Sequence, residues 1–263
     1  MTDNANEKEI RKYLLPYAED IIIETIEETG STNDDMKLRA QRGEKEVCVL
    51  IAESQTKGRG SKGRSFFSPE KSGCYMSFLL RPEYTAHECT LLTTMAATAT
   101  AEAIEKVSGQ TAQIKWINDI YINRHKVAGI LTEASIAKGG GYLDYAVVGI
   151  GINISQPENG FPDEIKNIAT AISSKDVKIK NHLIGEVINR FIYYYRRLSE
   201  KEYLREYRKR LFFLGEEITV IEADKTYTAT ALDIDEMCHL IVKTDTGEEK
   251  TLYSGEISIR PNL

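Results

Sequence analysis

Apolar positions recur along this chain with two periods, and the switches between them mark out its elements. Ile21 to Ile26 is β-branched and reads as a strand. Gly30-Ser31-Thr32-Asn33-Asp34 then has turn and helix-cap composition, and a helix is expected from about Asp35 to Arg42. Val47 to Glu53 is a short apolar strand, and Gln55 to Pro69 is a loop rich in glycine and basic residues. Cys74 to Leu80 reads as a strand stopped by Pro82. From His87 to Val107 the apolar residues Leu91, Leu92, Met95, Ala99, Ala103 and Ile104 take helical spacing, which Gly109 closes.

A run of β-type segments follows: Ala112 to Trp116, Ile120 to Ile122, Val127 to Ile136 and Ala146 to Ile154. Turn signals at Asn123-Arg124 and Gly139-Gly140-Gly141 predict antiparallel neighbours among them. A second long helix is expected over Asn181 to Leu198, with Ile184, Ile188, Ile192 and Tyr195 on one face, and another over Glu202 to Phe213. After Gly215 the pattern changes. Glu217 to Arg260 alternates β-branched residues with turns such as Asp224-Lys225 and Asp245-Thr246-Gly247, as four or five short strands would. The expected organisation is an α+β domain over residues 1–214 and a small all-β domain over residues 215–263.

Composition narrows the classes of function. At 263 residues the chain can bury a substantial core, and no apolar run reaches the roughly 18 residues of a membrane span. The polar N-terminus lacks a signal-peptide apolar core, so a cytoplasmic protein is expected. A net charge of −6 argues against broad nucleic-acid binding, which needs a clustered positive field. The four cysteines and four histidines are scattered, without zinc or disulfide spacing.

Four segments carry candidate chemistry. In Gly58-Arg59-Gly60-Ser61-Lys62-Gly63-Arg64-Ser65 the glycines let backbone N–H groups approach a ligand, and Arg59, Lys62 and Arg64 supply cations for phosphate or carboxylate. A solvated basic turn is an equal reading of that loop by itself. It is not a phosphate-binding P-loop: Arg64 stands at the lysine position, and Phe66-Phe67-Ser68-Pro69 cannot start the helix that such a loop aims at phosphate. In Lys115-Trp116-Ile117-Asn118-Asp119, Asp119 is suited to magnesium or a ribose hydroxyl and Trp116 to stacking on a ring. A capped β-turn with Trp116 in the core is the simpler reading. Lys126 opens Val127-Ala128-Gly129-Ile130-Leu131-Thr132-Glu133, where it is either solvated or neutralises an anion, and Gly129 marks a close approach. Gly149-Ile150-Gly151-Ile152-Asn153 lacks the third glycine and the helix of a dinucleotide fingerprint and reads as a glycine-kinked buried strand.

In their order, these segments resemble the biotin–protein ligase family. The resemblance runs from Gly30-Ser31-Thr32-Asn33 through Glu53-Ser54-Gln55, Gly58-Arg59-Gly60, Gly63-Arg64, Phe67-Ser68-Pro69, Lys115-Trp116, Asn118-Asp119, Lys126 to Glu133 and Gly149 to Asn153. It ends with Gly255-Glu256-Ile257-Ser258-Ile259-Arg260, similar to the family's closing strand. It implies a class II synthetase-like catalytic domain, whose mixed, largely antiparallel sheet is flanked by helices, and a C-terminal SH3-like β-barrel.

The resemblance also implies a reaction in which biotin and ATP form biotinyl-5′-AMP, and the biotinyl group then passes to a lysine of a biotin carboxyl carrier protein or carboxylase subunit. It assigns biotin contacts to Ser31, Thr32, Asn33, Gln55, Arg59, Gly60, Ser61 and Lys126. Adenylate contacts fall to Arg59, Arg64, Lys115, Trp116, Asn118, Lys126 and Asn153, catalytic charge to Lys126 and Arg59, and Mg2+ to Asp119. Ser61 stands where many members have arginine, Phe66 where tryptophan is frequent, and Ile117 where proline is frequent. With about 20 residues ahead of the first strand, no helix-turn-helix repressor domain is expected there. A monomer or a homodimer fits the family. The alternatives are a lipoate–protein ligase and a biotin-sensing regulator without ligase activity; Arg260 is the closing-strand residue placed near nucleotide or carrier.

Overall fold

The computed structural model describes residues 4–45, 47–173, 178–222, 225–253 and 258–261. Seven strands form the larger sheet: β1 (Ile22–Thr29), β2 (Cys48–Gln55), β3 (Gly73–Leu80), β4 (Gln113–Lys115), β5 (Asp119–Ile122), β6 (His125–Ile136) and β7 (Leu143–Asn153). Their order is β1-β2-β3-β7-β6-β5-β4. Only β1 and β2 run parallel; each other neighbouring pair is antiparallel. The expected mixed, largely antiparallel sheet is therefore present. Asn123 and Arg124, both at positive φ, make the tight hairpin between β5 and β6.

Strand alternation sends side chains to two different cores. On one face Val49, Ile51, Cys74, Met76, Phe78, Val148, Ile150 and Ile152 join a large cluster with α3 (Cys89–Ser108) and α4 (Lys180–Tyr195). Phe78 and Phe191 stack there with ring centroids 3.8 Å apart, fastening α4 to the sheet. Gly109, at φ 70°, ends α3 as its sequence predicted. On the opposite face Cys48, Leu50, Leu79, Tyr145 and Val147 pack against Met36 and Ala40 of α2 (Thr32–Gln41).

The start of α2 differs from the sequence expectation. Ser31 is extended (φ −161°, ψ 127°) and serves as the N-cap, so the helix begins at Thr32, not at Asp35. Thr32, Asn33 and Asp34 thereby occupy its first turn, and Thr32 and Asn33 are buried against the sheet. A short helix, α1 (Glu7–Arg11), also forms in the polar N-terminal segment, where the apolar pattern gave no element. It lies on α4: the Asn6 N–H donates to Asn181 Oδ1 at 2.8 Å, and the Leu15 N–H to Asn189 Oδ1 at 2.8 Å.

After α5 (Tyr203–Arg210), five strands form a small antiparallel sheet: β8 (Glu217–Glu222), β9 (Lys225–Ile234), β10 (Leu240–Thr244), β11 (Glu249–Leu252) and β12 (Ser258–Pro261), in the order β11-β10-β9-β8-β12. Its apolar residues Ile218, Val220, Ala231, Leu240 and Val242 belong to the same cluster as α3 and α4. Of the expected closing strand, Ser258 to Arg260 lie in β12; Gly255, Glu256 and Ile257, the Arg260 side chain and Asp224 of the predicted turn lie outside what is described.

Candidate active site

The site lies on the α2 face of the larger sheet, where side chains shrink to nothing in the middle of the strands. Register sets Ser77, Gly149 and Leu131 side by side across β3, β7 and β6. Two residues along, Tyr75, Gly151, Gly129 and Asp119 form the next row, across β3, β7, β6 and β5. The three glycines leave a hollow that neighbours already border. A Cβ on Gly149 would run into Asn33 Oδ1, and one on Gly151 would lie 2.6 Å from the Phe66 ring. On Gly129 it would come within 3.2 Å of Lys126 Nζ. These are the close approaches that glycines within strands signal.

One end of the hollow is polar and buried. The first turn of α2 lies there, and Gln55 Oε1 accepts from the Thr32 N–H at 2.9 Å and the Thr32 hydroxyl at 3.2 Å. Gln55 Nε2 in turn donates to Ser68 Oγ at 3.0 Å, which ties the end of β2 to the loop beyond it. Ser77 Oγ is 2.7 Å from Thr32 Oγ1 and 2.6 Å from Asn33 Oδ1. Asn33 Nδ2 donates to Glu133 Oε2 at 3.0 Å. Buried polar atoms in such a network hold one arrangement, because breaking any member leaves a desolvated partner.

The other end carries cations. Lys126 Nζ lies 2.6 Å from Asp119 Oδ1, both about a quarter exposed. Asn118 keeps the strand junction in place: its Nδ2 donates to Ile130 O at 2.6 Å, and its own carbonyl accepts from the Ile130 N–H at 2.9 Å. The basic loop forms a small hairpin, in which the Gly60 N–H donates to Arg64 O and the Phe66 N–H to Gly58 O. Gly58 is required there, since a Cβ would strike Phe66 O and Ser68 Oγ. Arg59 reaches back to α2 and β6, with Nη1 2.5 Å from Asp34 Oδ1 and Nη2 3.1 Å from Glu133 Oε1. Partial burial pushes the Asp34 carboxyl up, but hydrogen bonds from Lys37 and Arg59 outweigh it and hold that carboxyl below its ordinary value.

Residues 24–153 match the model of the biotin/lipoate A/B protein ligase family, and residues 213–260 match that of the biotin protein ligase C-terminal domain. The bifunctional ligase/repressor BirA of Bacillus subtilis (strain 168) is 34% identical over 244 residues, 88% of this chain and 71% of that protein. The chain belongs to the biotin–protein ligase family. The biotin–[acetyl-CoA-carboxylase] ligase of Mycobacterium tuberculosis (strain ATCC 25618 / H37Rv) is 28% identical over 240 residues, covering 88% of this chain and 86% of that one. The solved structure of the biotin protein ligase from Aquifex aeolicus in complex with biotin and ATP superposes with a TM-score of 0.74 at 29% identity, covering 92% of this chain and 99% of that one.

Of the residues that the family motifs nominate, the hollow gathers Ser31, Thr32, Asn33, Gln55, Arg59, Gly60, Ser61, Asn118, Asp119 and Lys126. Arg64, Lys115, Trp116 and Asn153 do not line it. Trp116 is buried and its indole N–H donates to Cys238 O at 2.8 Å, so it fastens the small sheet to the larger one. Asn153 Nδ2 donates to Thr170 O at 3.1 Å, beyond the glycine rows. Lys115 pairs with Asp119 in the β4–β5 register, and Arg64 is exposed on the hairpin. The biotin–protein ligase motifs did not nominate Tyr75, Ser77 or Asp34. Tyr75 and Ser77 alternate with the core residues Cys74, Met76 and Phe78, so period-2 counting from β3 was the available signal.

Proposed function

We propose that this chain is an ATP-dependent biotin–protein ligase that forms biotinyl-5′-AMP and transfers biotin to a lysine of a carrier protein. The observation that carries this reading is the layout of the hollow. A polar end made by the buried Ser31, Thr32 and Asn33 and the half-buried Gln55 borders the Gly149 row, and a cationic end at Lys126 borders Gly129, two strand residues, roughly 7 Å, along the sheet. A ligand with a polar, urea-like head, an apolar middle and a terminal carboxylate matches that sequence of surfaces. Biotin is such a molecule.

In the first step a biotin carboxylate oxygen forms a bond to the α-phosphorus of ATP, and the bond to the bridging oxygen breaks with release of pyrophosphate. Both reactants are anions, so their approach needs fixed positive charge. Lys126 is poised for this, held by Asp119 rather than free to swing, and fixed charge needs no reorganisation as the transition state forms. Arg59 adds a second cation at the rim. In the second step the neutral amine of a carrier lysine attacks the acyl carbon, an amide forms, AMP departs and the ammonium proton passes to solvent. No enzyme nucleophile is required, and alignment supplies most of the rate. Gly60 and Ser61 cover the hollow from the hairpin, which shields the mixed anhydride from water.

Magnesium fits this site as a companion of the nucleotide. Among the described residues no three acidic, histidine or cysteine side chains form a metal-binding group, and Asp119 is the carboxylate that lines the hollow. One carboxylate plus substrate phosphates is a common magnesium environment. Asp119 would hold the ion, which would offset charge on the triphosphate. Arg64, Lys115 and Asn153 remain adenylate candidates, reached only if nucleotide extends past the hollow, whereas Trp116 is taken up by the core. The named carboxylase ligase among the relatives supports a biotin carboxyl carrier as acceptor.

The deciding experiment is exchange of labelled pyrophosphate into ATP by the purified chain with magnesium and no carrier. Exchange that requires biotin and is not supported by lipoate is expected. Lipoate-dependent exchange would replace biotin as the acid, and binding of biotin without exchange would leave a sensor.

A further inference from the structure

The charged groups around Arg59 form one cluster, and a single carboxylate joins its two halves. Glu133 Oε1 accepts from Arg59 Nη2 at 3.1 Å and from Lys37 Nζ at 2.9 Å, while Oε2 accepts from Asn33 Nδ2 at 3.0 Å. Asp34 Oδ1 takes the other side of the guanidinium at 2.5 Å and also pairs with Lys37 at 2.7 Å. Asn33 is buried at the polar end of the hollow, and Arg59 belongs to the hairpin at its rim. Neither Glu133 nor Asp34 lines the hollow itself.

We propose that Glu133, with Asp34, is a positioning pair: it clamps the Arg59 hairpin over the hollow and couples that closure to Asn33 through the two oxygens of one carboxylate. Isolated surface ion pairs contribute little, and Arg59 is 41% exposed. This cluster differs in having two carboxylates on one planar guanidinium, which fixes its direction as well as its charge. Its Glu133 member is only 23% exposed and shares a network with the buried Asn33 and Ser77. The hairpin base is pinned independently, by the Lys57 N–H donating to Gly30 O and the Thr56 N–H to Thr29 O. Loss of the clamp therefore frees the hairpin without unfolding the strands beneath it. For catalysis the inference rests on the ligase reading: an occupant that holds Asn33 in place also holds Glu133, and so the hairpin.

Trypsin tests the clamp directly, because Arg59, Lys62 and Arg64 are its own cleavage sites on the hairpin. The full chain is digested under native conditions, without biotin or ATP. Glu133→Gln keeps an acceptor for Asn33 but removes the charge that grips Arg59, and nicking between residues 59 and 64 is expected to rise about tenfold. Asp34→Asn, on the more exposed member, is expected to act in the same direction. Lys37→Gln removes a cation of the same cluster while leaving both carboxylates on Arg59, and should stay within about twofold of the parent. Unchanged nicking in both carboxylate variants, or an equal rise in Lys37→Gln, overturns the clamp. In pyrophosphate exchange, Glu133→Gln should raise the biotin half-saturation about tenfold. A nicked hairpin with unaltered biotin half-saturation overturns the coupling to Asn33. Absence of exchange in the parent chain would count against the ligase reading alone, since the digestion needs no substrate.

Discussion

Lys126 Nζ and Asp119 Oδ1 face each other at 2.6 Å between neighbouring strands, brought together by a register shift after Ile120. In unbroken antiparallel pairing, Asp119 opposite Gly129 would place Lys126 opposite Ile122; the shift moves it opposite Tyr121, on the side of the hollow. The carboxylate then does two things. It keeps a long, flexible side chain in one place, and it lowers the desolvation penalty of a half-buried cation. For a site that must draw two anions together, a lysine fixed in this way is worth more than a mobile one.

Lys126→Gln should therefore lower the rate of biotin-dependent pyrophosphate exchange by about 100-fold or more, the usual effect of losing one preorganised charge-stabilising donor. Asp119→Asn should lower it less, because the ammonium stays but is no longer held. Exchange kinetics at saturating ATP distinguish the two. Equal losses would mean that Asp119 acts chiefly through the magnesium ion it would hold, and not through Lys126.

Gly149 and Gly151 predict different consequences for the same added methyl. Gly149→Ala places its Cβ on Asn33, which Ser77, Leu131 and Glu133 hold on three sides. Loss of biotin binding in titration calorimetry is expected, with a drop in stability of about 1–3 kcal/mol from overpacking. Gly151→Ala meets the Phe66 ring, a half-buried side chain that makes no polar contact, so a smaller loss of stability is expected.

The buried pair Lys180–Glu53, 2.6 Å apart with both side chains at most 6% exposed, lies at the N-terminus of α4 and two residues before Gln55 on β2. The Ala5 N–H also donates to Glu53, joining the N-terminal segment to the same point. Lys180→Met should destabilise the fold by about 3–5 kcal/mol by leaving a carboxylate buried without its counter-ion. The double variant Lys180→Met/Glu53→Gln should recover part of that loss. Urea unfolding of the parent, Lys180→Met, Glu53→Gln and the double variant completes the cycle.

Glu206 on α5 supplies a pH signature. A hydrogen bond from Lys209 is the main cause that holds its carboxyl at about 2, with Arg210 adding to it against the opposing effect of burial. A folded value below the unfolded value of 4.5 means that the carboxylate stabilises the protein at pH above 4.5, and that this contribution fades as pH falls toward 2. The denaturant midpoints of the parent chain and Glu206→Gln should thus differ by a constant amount from pH 7 to about 5 and converge below that. A gap that widens in acid would contradict the assignment.

Much of this architecture was legible in the chain itself, because local rules decide it. Apolar and β-branched runs marked most strands of the larger sheet, β-branched residues alternating with turns marked those of the smaller one, helical spacing with Gly109 at its end marked α3, and Asn123-Arg124 marked a hairpin. The order of the glycine, lysine and arginine motifs was enough to imply the family. What the sequence did not contain was adjacency. Whether β7 sits between β3 and β6 is a long-range choice, and it alone sets Gly149 beside Ser77 and Leu131 to make the hollow.

The same limit explains the particular differences. The sequence offered Trp116 either to a ligand ring or to the core, and packing of the small sheet chose the core by supplying Cys238 O as the partner of its indole N–H. The pattern showed cap residues at Ser31 to Asp34 but not that the helix starts at Thr32. That start is favoured by burial of Thr32 and Asn33 against Gln55 and Ser77, residues 23 and 44 positions away from their partners. Sequence periodicity determines which face of an element is apolar; only the assembled sheet decides which polar groups meet on the other, since those contacts are made between segments that share no local signal.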